Sequence, residues 1–218
     1  MRFSRRPHRF ADRAQAGDDL ADLLAEQVSG GELVLGLPRG GVVVAAAVAD
    51  RLGAELDALG VAKVGAPGRP ELAAGAVGEG GVVHINDYVV ARLGLRPGEL
   101  DAAVSNAAMN VASKMRAIRA AVPAVSVAGR SVIIVDDGLA TGATAHAAIA
   151  AVRSAGAAHV TLAVPVAPDS TVEELESEAD EVVVLLTPTD FTAVGMWYEN
   201  FDQTEMDEVV GLLQAARQ

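Results

Sequence analysis

The stretch that decides the fold is residues 131–144, which read SVIIVDDGLATGAT. The apolar run at 132–135 predicts a short buried strand, and Asp136 and Asp137 follow at its carboxyl end. A buried carboxylate pair is costly unless a ligand, a cation or backbone donors partner it. Small and hydroxyl-bearing residues come next, before a helix predicted at 143–155. Amides, hydroxyls and a helix N-terminus make such a loop a predicted anion cradle. The loop residues are Gly138, Leu139, Ala140, Thr141, Gly142, Ala143 and Thr144.

The acidic pair and the loop together indicate one kind of ligand. Carboxylates beside an anion cradle repel a bare phosphate, so the ligand must also bring hydroxyl groups. A sugar phosphate does both: ribose hydroxyls would donate to Asp136 and Asp137, and the 5-phosphate would occupy the loop. A purely structural turn, a receiver domain and a nucleoside triphosphatase are the alternatives. A receiver would carry the acidic pair at its first strand, and the chain contains no GxxxxGKS, GxxxxGKT or GxGxxG string.

Strand and helix patterns alternate on both sides of this stretch. We predict strands at 33–37, 58–64, 132–135, 159–164 and 181–186, and helices at 18–27, 42–52, 99–121, 143–155 and 171–179. This alternation predicts an α/β fold with a mostly parallel sheet flanked by helices, and such sheets bind ligands at the carboxyl ends of their strands. The Gly- and Pro-rich residues 65–81 predict a long irregular loop.

Composition narrows the class of protein. The 218 residues suit a single domain over 1–218, and 51% of them are apolar. The net charge of −12 argues against a nucleic-acid partner. No apolar run approaches the roughly 18 residues that a membrane span needs, and the basic start leads into no secretory signal. With no cysteine present, we expect a soluble, cytoplasmic protein without disulfides or thiolate metal sites.

The acidic stretch also resembles a known family. With its strand, residues 136–144 are similar to the phosphoribosyl diphosphate (PRPP) binding motif of type I phosphoribosyltransferases. Further segments resemble an uncharacterised bacterial branch of that family, some members of which are fused to a hydrolase domain. These segments are LPRGG at 37–41, KVGAPG at 63–68, PELA at 70–73 and AVGMWYENF at 193–201. The similarity covers nearly the whole chain and is weakest over 99–130. It implies a Rossmann-like sheet with a small hood at about 187–204.

The resemblance implies roles for residues outside the acidic stretch. Arg39, Gly40 and Gly41 would bind the pyrophosphate of PRPP through main-chain amides and the forked donors of the guanidinium. Lys63, at the end of the second predicted strand, would face the same cavity. Residues 65–81 would be a mobile loop that closes over the substrate and excludes water. The alternatives are an exposed arginine at a helix start and a solvated lysine at a strand end.

The reaction implied by the resemblance is displacement of pyrophosphate from PRPP by a nitrogenous base. Asp136, Asp137, Arg39 and Lys63 would be the catalytic set. Mg²⁺ is the implied cofactor; it would bind through substrate oxygens, with Asp136 and Asp137 as its candidate protein ligands, rather than in a preformed site. The 6-oxopurine enzymes carry an Asp where this chain has Ala140, which disfavours a hypoxanthine or guanine acceptor. A non-catalytic sensor of PRPP or nucleotides, and a scaffold that has lost activity, are the competing functions.

Aromatic residues are concentrated near the C-terminus. Phe191, Trp197, Tyr198 and Phe201 fall within eleven residues of a chain that has seven aromatics. As part of a hood, Phe191, Trp197 or Tyr198 would stack on a planar base. A satellite core or a contact between the two subunits of a homodimer would explain the same cluster.

Overall fold

A central parallel sheet of five strands organises the protein. The computed structural model describes residues 9–28 and 30–217. The strand order is β2-β1-β6-β7-β8, and all four pairings are parallel. In chain order the elements are α1 (Arg13–Leu24), β1 (Leu33–Gly36), α2 (Gly40–Leu52), β2 (Glu55–Ala58), β3 (Val61–Ala66), β4 (Arg69–Gly78), β5 (Val83–Ile85), α3 (Asp87–Leu93), α4 (Asp101–Ala121), β6 (Ser131–Val135), α5 (Ala143–Ser154), β7 (His159–Val166), α6 (Asp169–Leu175), β8 (Glu181–Leu186) and α7 (Met206–Ala215).

Helices cover both faces of this sheet, as the strand–helix alternation predicts. On one face the core joins α1, α2 and α7 to the strands, with Leu20, Val48 and Leu213 fully buried. On the other face α5 and α6 pack on the strands through Ile149 and Leu175. The small side chains allow close approach, since a Cβ at position 17 in α1 would lie 2.7 Å from a Cβ in α2. No helix in the described part of the chain is long and apolar enough to cross a membrane.

A second, antiparallel sheet lies where the sequence predicts the end of one strand and a long irregular loop. The single strand predicted at 58–64 is wrong: β2 ends at Ala58, and β3 begins at Val61 in a different sheet, of order β3-β4-β5. The irregular loop predicted at 65–81 is also wrong as to structure, because β4 spans most of it and pairs with β3. The apolar pattern runs without a break across Leu59 and Gly60, so it hides the change of sheet. Mobility of the segment stays a prediction.

Other differences are smaller. Helix α1 begins at Arg13 rather than at 18, because the Asp12 side chain caps it by accepting from the Gln15 amide. Helix α6 ends at Leu175 rather than at 179. The sequence patterns did not predict β5, α3 or α7, which are two short elements and one C-terminal helix.

Residues 187–204, the predicted hood, pack against the start of the described chain. A short 3-10 turn lies at Val194–Trp197. The Phe10 amide donates to the Trp197 carbonyl at 2.8 Å, and the Glu199 amide donates to the Phe10 carbonyl at 2.8 Å. The N-terminal segment and the hood therefore form one unit, which contacts Val166 at the carboxyl end of β7.

Candidate functional site

The acidic pair lies where the sequence predicts it, directly after β6. The Asp137 amide donates to Asp136 Oδ1 at 2.9 Å. Arg13 Nε donates to Asp137 Oδ2 at 2.7 Å. Among the described residues no other side chain donates to either carboxylate, and the Asp137 amide also interacts with its own carboxylate. Asp136 Oδ2 and Asp137 Oδ1 are therefore the oxygens that no other side chain occupies. Each carboxylate thus commits one oxygen to the protein and leaves the other for a ligand.

Both carboxyl groups of the pair have raised pKa values. Burial, and then the charge of Asp137, raise the pKa of Asp136 well above its usual range. Burial also raises the pKa of Asp137, but the hydrogen bond and charge of Arg13 oppose that rise. A proton shared by the pair therefore favours Asp136. Ligand hydroxyls or a cation at the two open oxygens would stabilise the two buried negative charges.

Two glycines at the start of α2 make room for the acidic pair. A Cβ at Gly40 would lie 2.7 Å from Arg13 Nε and would collide with Asp137 Oδ2. A Cβ at Gly41 would lie 2.9 Å from Asp136 Oδ1. The N-terminus of α2 thus approaches both carboxylates, and its partial positive charge favours their ionised forms. The two glycines expected to approach a pyrophosphate are therefore already needed by the site itself.

The loop after the acidic pair has an inner part and an outer part. Gly138 and Leu139 are buried, and the Leu139 amide donates to the Val166 carbonyl at 2.9 Å, so these two are structural. The predicted role of Leu139 in a phosphate loop does not extend to its amide, which is already bonded. The outer part, residues 140–144, makes no hydrogen bond through its amides to any described residue.

The outer part of the loop has the form of an anion cradle. Ala140, Thr141 and Thr144 are exposed. Gly142 precedes α5 in the left-handed conformation with φ of 67°, and Ala143 is the first residue of the helix. The Thr171 hydroxyl donates to the Ala140 carbonyl at 3.0 Å, which anchors the loop to α6. The segment that follows the acidic pair therefore offers amides without hydrogen bonds to described residues and a helix N-terminus.

The two predicted cations lie in different surroundings. Arg39 precedes α2 and its side chain is 37% exposed. Its Nη1 lies 3.8 Å from Glu205 Oε2 and donates to the Gln203 side-chain oxygen at 3.1 Å. Lys63 does not end the second strand of the parallel sheet. It lies inside β3, opposite Ala76 in the antiparallel sheet.

The predicted stacking residues belong to a satellite core. Trp197 is 9% exposed and Tyr198 is 2% exposed, and they pack with Phe10 and Val166, with Phe191 at the margin. The Tyr198 hydroxyl donates to the Asp137 carbonyl at 2.6 Å. Protein atoms cover both rings, so neither presents a face to a planar base. Of the interpretations considered from sequence, the satellite core is the one that these contacts support.

Arg13 is a site residue that sequence reasoning missed. It lies 124 positions before Asp137 in the chain, and no motif surrounds it. Only the packing of α1 against the hood and α2 brings it to the carboxylates. Among the described residues no group of three or more His, Asp or Glu side chains is placed to hold a metal ion.

The fold and this site define a class of protein: an α/β domain with an acidic pair and an open amide loop at the carboxyl edge of its sheet. Residues 12–207 match the family model described as the phosphoribosyl transferase domain. The chain belongs to that family, to its type I members.

Similar proteins agree with this assignment. Relatives from two strains of Mycobacterium tuberculosis, provisionally named phosphoribosyl transferases, are 47% identical over 207 residues. The match covers 95% of this chain and 47% of theirs, so the chain spans about half of their length. A crystal structure of a protein from Thermus thermophilus is 43% identical with a TM-score of 0.91, covering 95% of this chain and 98% of that one. A Neisseria gonorrhoeae protein with bound ppGpp, 13% identical with a TM-score of 0.50 and 96% of each chain covered, shares the fold alone.

Proposed function

We propose that the protein transfers the phosphoribosyl group of PRPP to a nitrogenous acceptor, with release of pyrophosphate. The observation that carries the proposal is the pairing of two open carboxylate oxygens, on Asp136 and Asp137, with the unbonded amides of residues 140–144. Two adjacent acceptors match the two adjacent hydroxyls of a ribose, and the amide loop matches its 5-phosphate. The family assignment supports the same class of activity.

The residues of the chain would then act mainly by position and charge. As the bond from ribose C1 to pyrophosphate lengthens, positive charge develops on the sugar, and the carboxylates of Asp136 and Asp137 lie on the hydroxyl side of that ring to stabilise it. Arg39, at the start of α2, would bind the leaving pyrophosphate with the helix amides. Lys63, which lies inside β3 of the antiparallel sheet, would be the second cation for that pyrophosphate.

The open carboxylate oxygens also fit Mg²⁺, which takes oxygen ligands and keeps waters and substrate phosphates in its shell. Asp136 and Asp137 would be its protein ligands. When bound with PRPP, the ion would supply positive charge to the departing pyrophosphate. Two carboxylates alone make an incomplete site, so binding of the metal would depend on the substrate.

The acceptor is proposed by exclusion. Ala140 lies exposed at the place where 6-oxopurine enzymes carry an Asp, so the loop offers no carboxylate there to a purine nitrogen. A hypoxanthine or guanine acceptor is therefore disfavoured relative to other nitrogenous bases.

A sensor of PRPP or nucleotides is the second candidate, and one observation favours it. Trp197 and Tyr198 are buried in the satellite core, so of the three candidate rings only the partly buried Phe191 is left to face an acceptor base. A protein that binds the ribose and phosphate without using an acceptor would need no such ring.

The test is to incubate the protein with PRPP, Mg²⁺ and a panel of bases, and to follow pyrophosphate release together with thermal stability. Transfer predicts release that depends on one base and is lost in the double variant Asp136→Asn, Asp137→Asn. Stabilisation by PRPP without turnover on any base would support the sensor. Absence of stabilisation by PRPP would refute the site assignment.

A further inference from the structure

Arg13 links three parts of the protein through one guanidinium group. Its Nε donates to Asp137 Oδ2 at 2.7 Å, and its Nη1 donates to the Asp202 carbonyl at 2.8 Å. The guanidinium carbon lies 3.9 Å from the centre of the Phe201 ring. The Arg13 side chain is only 12% exposed. A planar cation held by two hydrogen bonds and an aromatic face has little freedom to reorient.

This contact decides which oxygen of Asp137 faces the ligand. Because Arg13 takes Oδ2, Oδ1 is the oxygen to which no side chain of the described residues donates. The backbone of Asp137 is fixed as well, since its carbonyl accepts from the Tyr198 hydroxyl at 2.6 Å. The absence of a side chain at Gly40 leaves room for the contact between Arg13 and Asp137. Residues outside the acidic motif therefore fix the orientation of the Asp137 carboxylate and the position of its backbone.

We propose that Arg13 is a positioning residue for sugar recognition: by holding Oδ2 of Asp137 it aims Oδ1 at a ribose hydroxyl, and it couples that carboxylate to the hood through Phe201 and Asp202. This inference rests on the proposed function, because it assumes that Asp137 accepts from ribose. A guanidinium that forms one charge-assisted bond to the carboxylate and stacks on the hood does not need to contact the ligand itself.

The rival interpretation is that Arg13 inhibits ligand binding by occupying the Asp137 carboxylate. In that case the ion pair would compete with the ligand for Asp137, and its removal would tighten sugar binding. The two interpretations predict opposite signs for one measurement, so a single variant separates them.

The experiment compares ribose 5-phosphate with inorganic phosphate, each titrated without metal and followed by ³¹P NMR. Phosphate needs only the amide loop at 140–144, whereas the sugar phosphate also needs the carboxylates. The ratio of the two affinities, the sugar gain, isolates the contribution of the ribose. The variants are Arg13→Gln and Arg13→Lys. The matched control is Arg51→Gln, which removes an exposed arginine that pairs with Asp22 of α1 at 2.6 Å.

We expect Arg13→Gln to lower the sugar gain about tenfold or more, which is the usual size of a lost charge-assisted contact, with the phosphate affinity unchanged. Arg13→Lys should recover only part of the gain, because an ammonium keeps the charge but cannot reproduce the planar contacts to Asp137, Asp202 and Phe201. The control should match the wild type. If Arg13→Gln does not fold, Phe201→Leu removes the ring that holds the guanidinium and should lower the gain in the same direction.

Two results with Arg13→Gln would overturn the inference. An unchanged sugar gain, including one in which both affinities fall equally, removes the positioning role, and an increased gain shows that Arg13 competes with the ligand for Asp137. A wild-type protein with no sugar gain would refute the ribose assignment of Asp136 and Asp137, and with it this inference. That result is visible before any variant is made, so failure of the proposed function is distinguishable from failure of the role of Arg13.

Discussion

Neutralising the two adjacent carboxylates one at a time should have unequal effects on stability. Asp136→Asn removes a buried charge whose pKa is raised well above its usual range by burial and by the neighbouring carboxylate. The Asn side-chain oxygen can still accept from the Asp137 amide, as Asp136 Oδ1 does at 2.9 Å. Asp137→Asn removes a charge that Arg13 already offsets at 2.7 Å. We therefore expect Asp136→Asn to stabilise the ligand-free protein more than Asp137→Asn does.

The magnitude follows from the burial of the Asp136 charge. Removing a buried charge that has only partial compensation has an effect of about 1–3 kcal/mol, so Asp136→Asn should raise the free energy of unfolding by about that much at neutral pH. At about 2–4 °C per kcal/mol for a chain of this size, Tm rises by roughly 2–12 °C. Asp137→Asn should change the free energy of unfolding by less than about 1 kcal/mol, because the relief from burial is cancelled by the weaker bond to Arg13.

The pH dependence has a definite sign. Because the pKa of Asp136 is higher in the folded than in the unfolded protein, its destabilising effect is absent below the unfolded value of about 3.9. The effect grows as pH rises through the folded pKa. The gain in Tm for Asp136→Asn over wild type should therefore be absent near pH 3.5 and increase as pH rises towards neutral.

Thermal unfolding of the ligand-free proteins across that pH range is the assay, with Asp22→Asn as a surface control that should change stability little. Both site variants should also bind ribose 5-phosphate more weakly. The reasoning is refuted if Asp136→Asn destabilises the protein, or if Asp137→Asn stabilises it by the same amount or more.

Two further predictions concern the scaffold. Arg119→Gln should lower the free energy of unfolding by about 2–4 kcal/mol in urea titration. Its guanidinium joins buried Asp57 at 2.7 Å to Glu79 at 2.6 Å, and its loss leaves Asp57 with Arg217, at 3.6 Å, as its cationic partner among the described residues. A loss below about 1 kcal/mol would contradict this. The hydrogen bond from His146 to Glu178 raises the pKa of His146, so its stabilising effect is present below about pH 6.5 and is lost as pH rises through the folded pKa. Tm measured from pH 5.5 to 8 should fall less in Glu178→Gln than in wild type, and equal slopes would refute the role of this pair.

Local sequence patterns predict the structure correctly where it depends on residues that are close together in the chain. The apolar run and acidic pair at the end of β6 were placed correctly, because a buried strand and a polar end are visible in consecutive residues. The run that crosses Leu59 and Gly60 was misread, because periodicity reports burial and not which sheet a strand joins. Burial of Tyr198 was equally invisible, since it depends on Phe10, almost the whole chain away.

The sequence by itself therefore determined the α/β class, the position of the acidic pair and the small-residue loop before α5, since these depend on residues close together in the chain. Only the tertiary structure decided which oxygens of the pair are open. That choice depends on Arg13, which α1 brings from 124 residues away, and on Gly40, whose missing side chain leaves room for the ion pair. Contacts across such separations arise from helix packing and chain topology, and no local pattern records them.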